Sequence, residues 1–173
     1  MELSKLEKST TNELISRTLK SNSEHGAAII DSKGNVRYFT SDDHDHVEIP
    51  SDIAKMLDDT TNNITLLHSH TNNTLPSTKD FSHLLREGVG KIVVAGVNGN
   101  TYSISIGDGD RPTLEEFEQD IVEIARDIGT NMSKFPWYDG ADKQVREYMF
   151  IYEKAFQIKQ RYKWNMQGGN INE

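Results

Sequence analysis

The stretch Leu66-Leu67-His68-Ser69-His70-Thr71-Asn72-Asn73-Thr74-Leu75-Pro76-Ser77-Thr78-Lys79-Asp80-Phe81 decides how the chain is read. It begins as an apolar run of strand type from Ile64, places two histidines in alternation, passes through a short polar loop, and ends where a serine precedes an aspartate by three positions. On a strand successive side chains point to opposite faces, so His68 and His70 project together while Ser69 points away, their Cα atoms about 6.5–7 Å apart. Ser77-Thr78-Lys79-Asp80 has capping-box spacing and marks a helix start, which the loop at 71–76 brings back towards the strand end. Two imidazoles and a carboxylate are a donor set that suits zinc, with ligand distances of about 2.0–2.2 Å and a fourth position left for water. Taken alone, the alternating histidines are a short motif, and Ser77 with Asp80 could serve only as a helix cap.

Outward from this stretch the chain alternates strand and helix signals. Upstream, Leu3, Leu6, Leu14, Ile15 and Leu19 give a helical stripe over 3–21. The apolar run 25–31, the turn residues Ser32-Lys33-Gly34-Asn35 and the run 36–40 predict a hairpin with Glu24 at its mouth. Residues 41–46, Ser-Asp-Asp-His-Asp-His, read as a solvated acidic loop. Asp42, Asp43, His44, Asp45 and His46 form a rival constellation that no periodic element orients. Val47-Glu48-Ile49 is expected to be extended, and a brief helix follows with Ser51 as its cap.

Downstream, a helix is predicted over 77–86, ending at Gly88. A second hairpin follows, made by 91–97 and 101–106 around Asn98-Gly99-Asn100. Thr113 and Glu116 form a second capping box opening a helix to about residue 129. A last long helix carries Val145, Met149, Tyr152, Phe156 and Tyr162, and the tail 167–170 is expected to fray. The order predicts an α/β fold, a single mixed sheet flanked by helices, with residues 1–110 as the principal domain and 111–173 as a helical C-terminal extension on or beside it.

Composition narrows the function. The 173 residues contain no cysteine, so disulfides, thiolate metal sites and cysteine nucleophiles are excluded and a metal must take His, Asp or Glu. A net charge of −8, from 19 Lys+Arg against 27 Asp+Glu, argues against a nucleic-acid partner. No apolar run reaches membrane-span length, and Met1-Glu2-Leu3-Ser4-Lys5 lacks the apolar core of a signal peptide, so the expected setting is cytoplasmic.

His68-Ser69-His70, the loop, and Ser77-Thr78-Lys79-Asp80, with Glu24 upstream, resemble the signature of the JAMM zinc metalloprotease family, also written JAB1/MPN or Mov34. The element order over about 24–106 is similar to that family's fold, with its cytidine-deaminase-like layering. Two departures stand in the loop. The spacer 71–76 is one residue shorter than usual in the family, as in bacterial and phage branches, and Thr71 stands where a proline commonly follows the second histidine.

The resemblance implies that His68, His70 and Asp80 ligate Zn2+, that Glu24 is general base and then general acid, and that Ser77 donates to the oxyanion. It implies a metallopeptidase or isopeptidase acting on a peptide or protein substrate. The alternatives are a non-catalytic module of the same fold, with the C-terminal helices as a partner surface, and a toxin or phage-associated processing domain. His25 and His83 read as structural or surface residues, and the Trp137-Tyr138 pair as helix packing.

Overall fold

The computed structural model describes residues 2–21, 26–39, 48–71 and 75–172. The first element is helix α1 (Lys5–Ser21). Its start is fixed by a capping box between Ser4, just before the helix, and Glu7 in its first turn: the Glu7 N–H donates to Ser4 Oγ at 3.2 Å, and the Ser4 N–H donates to Glu7 Oε2 at 2.7 Å. The hairpin of β1 (Ala27–Ile30) and β2 (Val36–Phe39) follows. Asp31 Oδ1 accepts from the N–H groups of Lys33 and Asn35, both at 2.9 Å, and Gly34 takes the positive φ of 83° that closes the turn.

Short helix α2 (Ser51–Leu57) leads to β3 (Ile64–His70), and α3 (Thr78–Ser82) with a 3-10 turn (His83–Leu85) leads to β4 (Val89–Gly96). The second hairpin closes through Gly99 (φ 86°) into β5 (Asn100–Ser105). Two long helices come next, α4 (Leu114–Asn131) and α5 (Lys143–Arg161), and the chain returns as β6 (Asn165–Asn170).

The six strands form one mixed sheet in the order β2-β1-β3-β4-β5-β6. Every neighbouring pair is antiparallel except β3 and β4, which are parallel. A parallel pair needs a crossover, and residues 71–88 supply it, carrying α3 and the 3-10 turn. That crossover sets the N-terminus of α3 at the carboxyl end of β3, where the histidines lie.

Alternation along β3 divides the sheet into two faces. Ile64 and Leu66 join Ile29, Ile92, Ile104 and residues of α2 to α5 in the main core, while Leu67 joins Ala28, Val93 and Leu14 of α1 on the other side. Lys91 Nζ donates to Glu7 Oε1 at 2.7 Å and fastens α1 to β4. Burial opposes the Glu7 charge, but the Lys91 and Ser4 hydrogen bonds outweigh it and hold that carboxyl below its usual range.

The expected α/β class and single mixed sheet are found. Both sides of residue 110 contribute to one core, in which Trp164 packs against Phe81, Phe117 and Tyr162 with ring centroids 6.2, 6.3 and 5.0 Å away. The tail expected to fray is instead β6, antiparallel to β5 from Asn165↔Ser105 to Asn170↔Asn100. Its sequence has low strand propensity; the buried anchors Trp164 before it and Ile171 after it hold it along the open edge of β5.

Three smaller expectations shift. Pro50, not Ser51, occupies the cap position of α2, Glu48 and Ile49 form no strand, and the helix expected over 77–86 tightens to a 3-10 turn at His83. Among the described residues no helix is long and apolar enough to cross a membrane.

Candidate metal centre

The site is assembled by β3 and the start of α3. His68 and His70 lie in the last turns of the β3 pleat, on the face of the main core, paired in register with Val94 and Gly96 of β4. Ser69, between them, points to α1: its hydroxyl lies 2.6 Å from Thr18 Oγ1 and 3.3 Å from the Gly26 carbonyl oxygen. This buried polar link fixes the strand's register, and a one-residue slip would turn both histidines away from α3.

Asp80 arrives from the other element. Ser77 caps α3, accepting from the Asp80 N–H at 3.2 Å. Asp80 completes the capping box in reverse, its Oδ2 accepting from the Ser77 N–H at 2.6 Å and from the Ser77 hydroxyl at 2.7 Å. The shorter aspartate, in place of the usual glutamate, keeps the carboxylate tight against the helix start. Leu75 and Pro76, both buried, tie the loop end down just before it.

The three side chains converge. His68 Nδ1 lies 3.1 Å from Asp80 Oδ1, and His70 Nε2 lies 3.5 Å from Asp80 Oδ2. The two imidazoles stand nearly perpendicular, with centroids 4.8 Å apart. The His70 and Asp80 side chains are almost wholly buried, at 8% and 7% exposure, while His68 keeps 24%. One ligand atom from each residue lies within 4.8 Å of the other two. Ligands about 2.1 Å from a tetrahedral ion stand about 3.4 Å from one another, so the two separations to Asp80 already approach that spacing.

The electrostatics agree with a site for a cation. Burial penalises the Asp80 charge, yet hydrogen bonds from His68 and His70 and their Coulomb attraction prevail, holding its carboxyl well below the usual range. A buried anion is thus already present. His68 Nε2 is buried without a hydrogen-bond partner among the described residues, an unmet polar group at the centre's edge. His68, His70 and Asp80 could therefore hold a metal ion through two nitrogens and an oxygen, a set that fits the imidazole and carboxylate preferences of divalent metals.

Of the residues singled out in the sequence, His68, His70, Ser77 and Asp80 are brought together. Glu24 lies outside the described residues, as do Asp42, Asp43, His44, Asp45 and His46. His83, read from sequence as structural or surface, is partly buried one helical turn beyond Asp80. Burial lowers its pKa to about 4 against the pull of Asp80, leaving it neutral at pH 7. Its spacing of three from Asp80 was the signal that both share one helix face. No family model, curated protein or solved structure matches the chain.

Proposed function

We propose that the protein is a zinc-dependent hydrolase of the JAMM type that cleaves a peptide or isopeptide bond. The observation that carries this reading is the convergence of His68, His70 and Asp80 on one small volume, with Asp80 gripped by the Ser77 cap.

A zinc ion held by these three residues supplies Lewis acidity towards the scissile carbonyl and lowers the pKa of water to near 7. Glu24 stands three residues before Ala27, the cross-strand partner of His68. In this reading its carboxylate takes the proton of the attacking water and returns it to the leaving amine nitrogen. Ser77 Oγ has a single proton, which it gives to Asp80 Oδ2. In this reading the hydroxyl holds Asp80 in place for the metal and would turn to the substrate's oxyanion only as that charge develops, where one donor is worth about 10²–10³ in rate.

The test is hydrolysis of peptide and isopeptide substrates by zinc-loaded protein, before and after chelation, beside Glu24→Gln. Activity lost on chelation, restored by zinc and lost in Glu24→Gln with zinc still bound is expected. Full activity in Glu24→Gln would remove the proposed base, and zinc-loaded protein without hydrolysis on any such substrate would leave the non-catalytic module as the better account.

A further inference from the structure

The last strand leaves one edge of the sheet open. β6 ends the order β2-β1-β3-β4-β5-β6, and among the described residues nothing pairs with its outer side. The Ile171 N–H donates to the Gly99 carbonyl at 2.8 Å, and antiparallel pairing alternates, so residues 165, 167 and 169 bond to β5. Met166, Gly168 and Asn170 therefore turn their N–H and C=O groups outward. Edge strands are ordinarily blunted by charge, proline or a bulge, yet Asn165-Met166-Gln167-Gly168-Gly169-Asn170 carries no charge and no proline and pairs with β5 without a register shift.

A second unpartnered feature lies beside this edge. Val145, Tyr148, Tyr152 and Phe156 are 45%, 44%, 43% and 39% exposed. At about 3.6 residues per turn they share one stripe of α5, which Lys159 continues. Lys159 lines a pocket with Asn165, Met166 and Gln167, so the stripe lies on the β6 side of the helix. Arg161, about half a turn round the helix from the stripe, pairs with Asp120 and Glu123 of α4 at 3.1 and 3.0 Å. Helix α4 thus covers the opposite flank and leaves the stripe bare. Stripe and edge strand also match in length, each rising about 16 Å.

We propose that the β6 edge and the α5 stripe are one dimerisation surface, whose partner is a second copy of this chain related by a two-fold axis at Gly168. Centred there, the outward groups are self-complementary: Gly168 faces the partner's Gly168, and Met166 faces the partner's Asn170. The two sheets join as one, and the two α5 helices run antiparallel beside the junction, stripe against stripe. Met166 packs against the main core with Ala155 and Ile158 of α5, so Gly168 shares that face, and its missing side chain leaves room for the rings to close over the axis. The charged ends of α5 suit this arrangement. Its last turn carries Lys159 and Arg161, followed by Lys163, and would meet a first turn flanked by Asp139, Asp142 and Glu147. A lone extended peptide would pair the edge but bring no helix to the stripe, whereas a second copy covers both. Two such edges and stripes bury on the order of 1,000 Å² together, the lower end for a specific complex, which makes the dimer concentration-dependent.

The experiment uses the full chain. Sedimentation of wild type over about 1–200 µM should show the mass rising from the 19.6 kDa of one chain to twice that. Tyr152→Glu, which sets like charges on the facing stripes, should stay monomeric, with circular dichroism confirming that it is folded. Register is read by single cysteines, which the cysteine-free chain accepts without competing thiols. In Gly168→Cys the two-fold holds the paired Cα atoms about 5.5 Å apart, within disulfide reach, so mild oxidation should link the dimer. A Cβ at Gly168 meets the Tyr102 ring at 3.5 Å, an ordinary contact that the fold tolerates. Asn165→Cys, about 20 Å from its mate across the axis, should not link. Wild type that stays monomeric throughout overturns the proposal, whether or not it takes an extended peptide at β6. A dimer that persists in folded Tyr152→Glu, or equal linkage of the two cysteines, overturns it as well.

Discussion

The Ser77 hydroxyl donates to Asp80 Oδ2 at 2.7 Å while the Asp80 N–H donates back to Ser77 Oγ at 3.2 Å, so one reciprocal pair both starts α3 and aims the carboxylate at His68 and His70. The helix cap and the candidate ligand are the same structure. Changing either residue disturbs stability and the metal centre together.

Ser77→Ala removes the cap and one of the hydrogen bonds orienting Asp80. We expect a destabilisation of about 1 kcal/mol in urea unfolding, as for other N-cap losses. Zinc affinity measured against a competing chelator should fall about 10–100-fold, the usual consequence of removing a hydrogen bond that orients a ligand. Ser77→Thr keeps the hydroxyl and should lose little of either.

Stability of the metal-free protein should fall on acidification in two stages. His83 has a folded pKa of about 4 against 6.5 when unfolded, so its neutral form is favoured by folding. Its contribution is complete above about pH 6.5 and is lost as pH drops towards 4, a decline of at most about 3 kcal/mol. Asp80, held well below its usual range, contributes stability that is present above its unfolded pKa near 4 and is lost as pH falls further. Urea midpoints between pH 7 and 3 check this, and His83→Phe should flatten the first stage while leaving the second.

Trp164 is 1% exposed, stacks among Phe81, Phe117 and Tyr162, and donates its indole N–H to the Asp110 carbonyl at 2.7 Å. Trp164→Ala should cost about 3–5 kcal/mol by cavity formation. Because this ring anchors the start of β6, amide exchange should accelerate in β6 and β5 before other strands. Trp164→Phe should recover much of the loss in denaturant titrations.

The residues that form the candidate centre were readable because each obeys a local rule: period-two alternation placed His68 with His70, and the serine–aspartate spacing placed Ser77 with Asp80. The Thr113–Glu116 box and the turn glycines Gly34 and Gly99 were legible for the same reason. The sixth strand was not, since Gln167-Gly168-Gly169-Asn170 has no strand propensity of its own and is held by residues flanking it. Ser51 resembled a cap, but the extended backbone of Pro50 (φ −55°, ψ 146°) enters the helix one residue sooner.

The central claim, that His68, His70 and Asp80 form a zinc centre, is tested most directly by calorimetric titration of chelator-treated protein with zinc, alongside Asp80→Ala and His70→Ala. The account predicts one zinc bound per wild-type chain, with binding lost or weakened by orders of magnitude in both variants while their circular dichroism stays that of the folded protein. No stoichiometric zinc in the wild type, or unchanged affinity in folded Asp80→Ala, would contradict it.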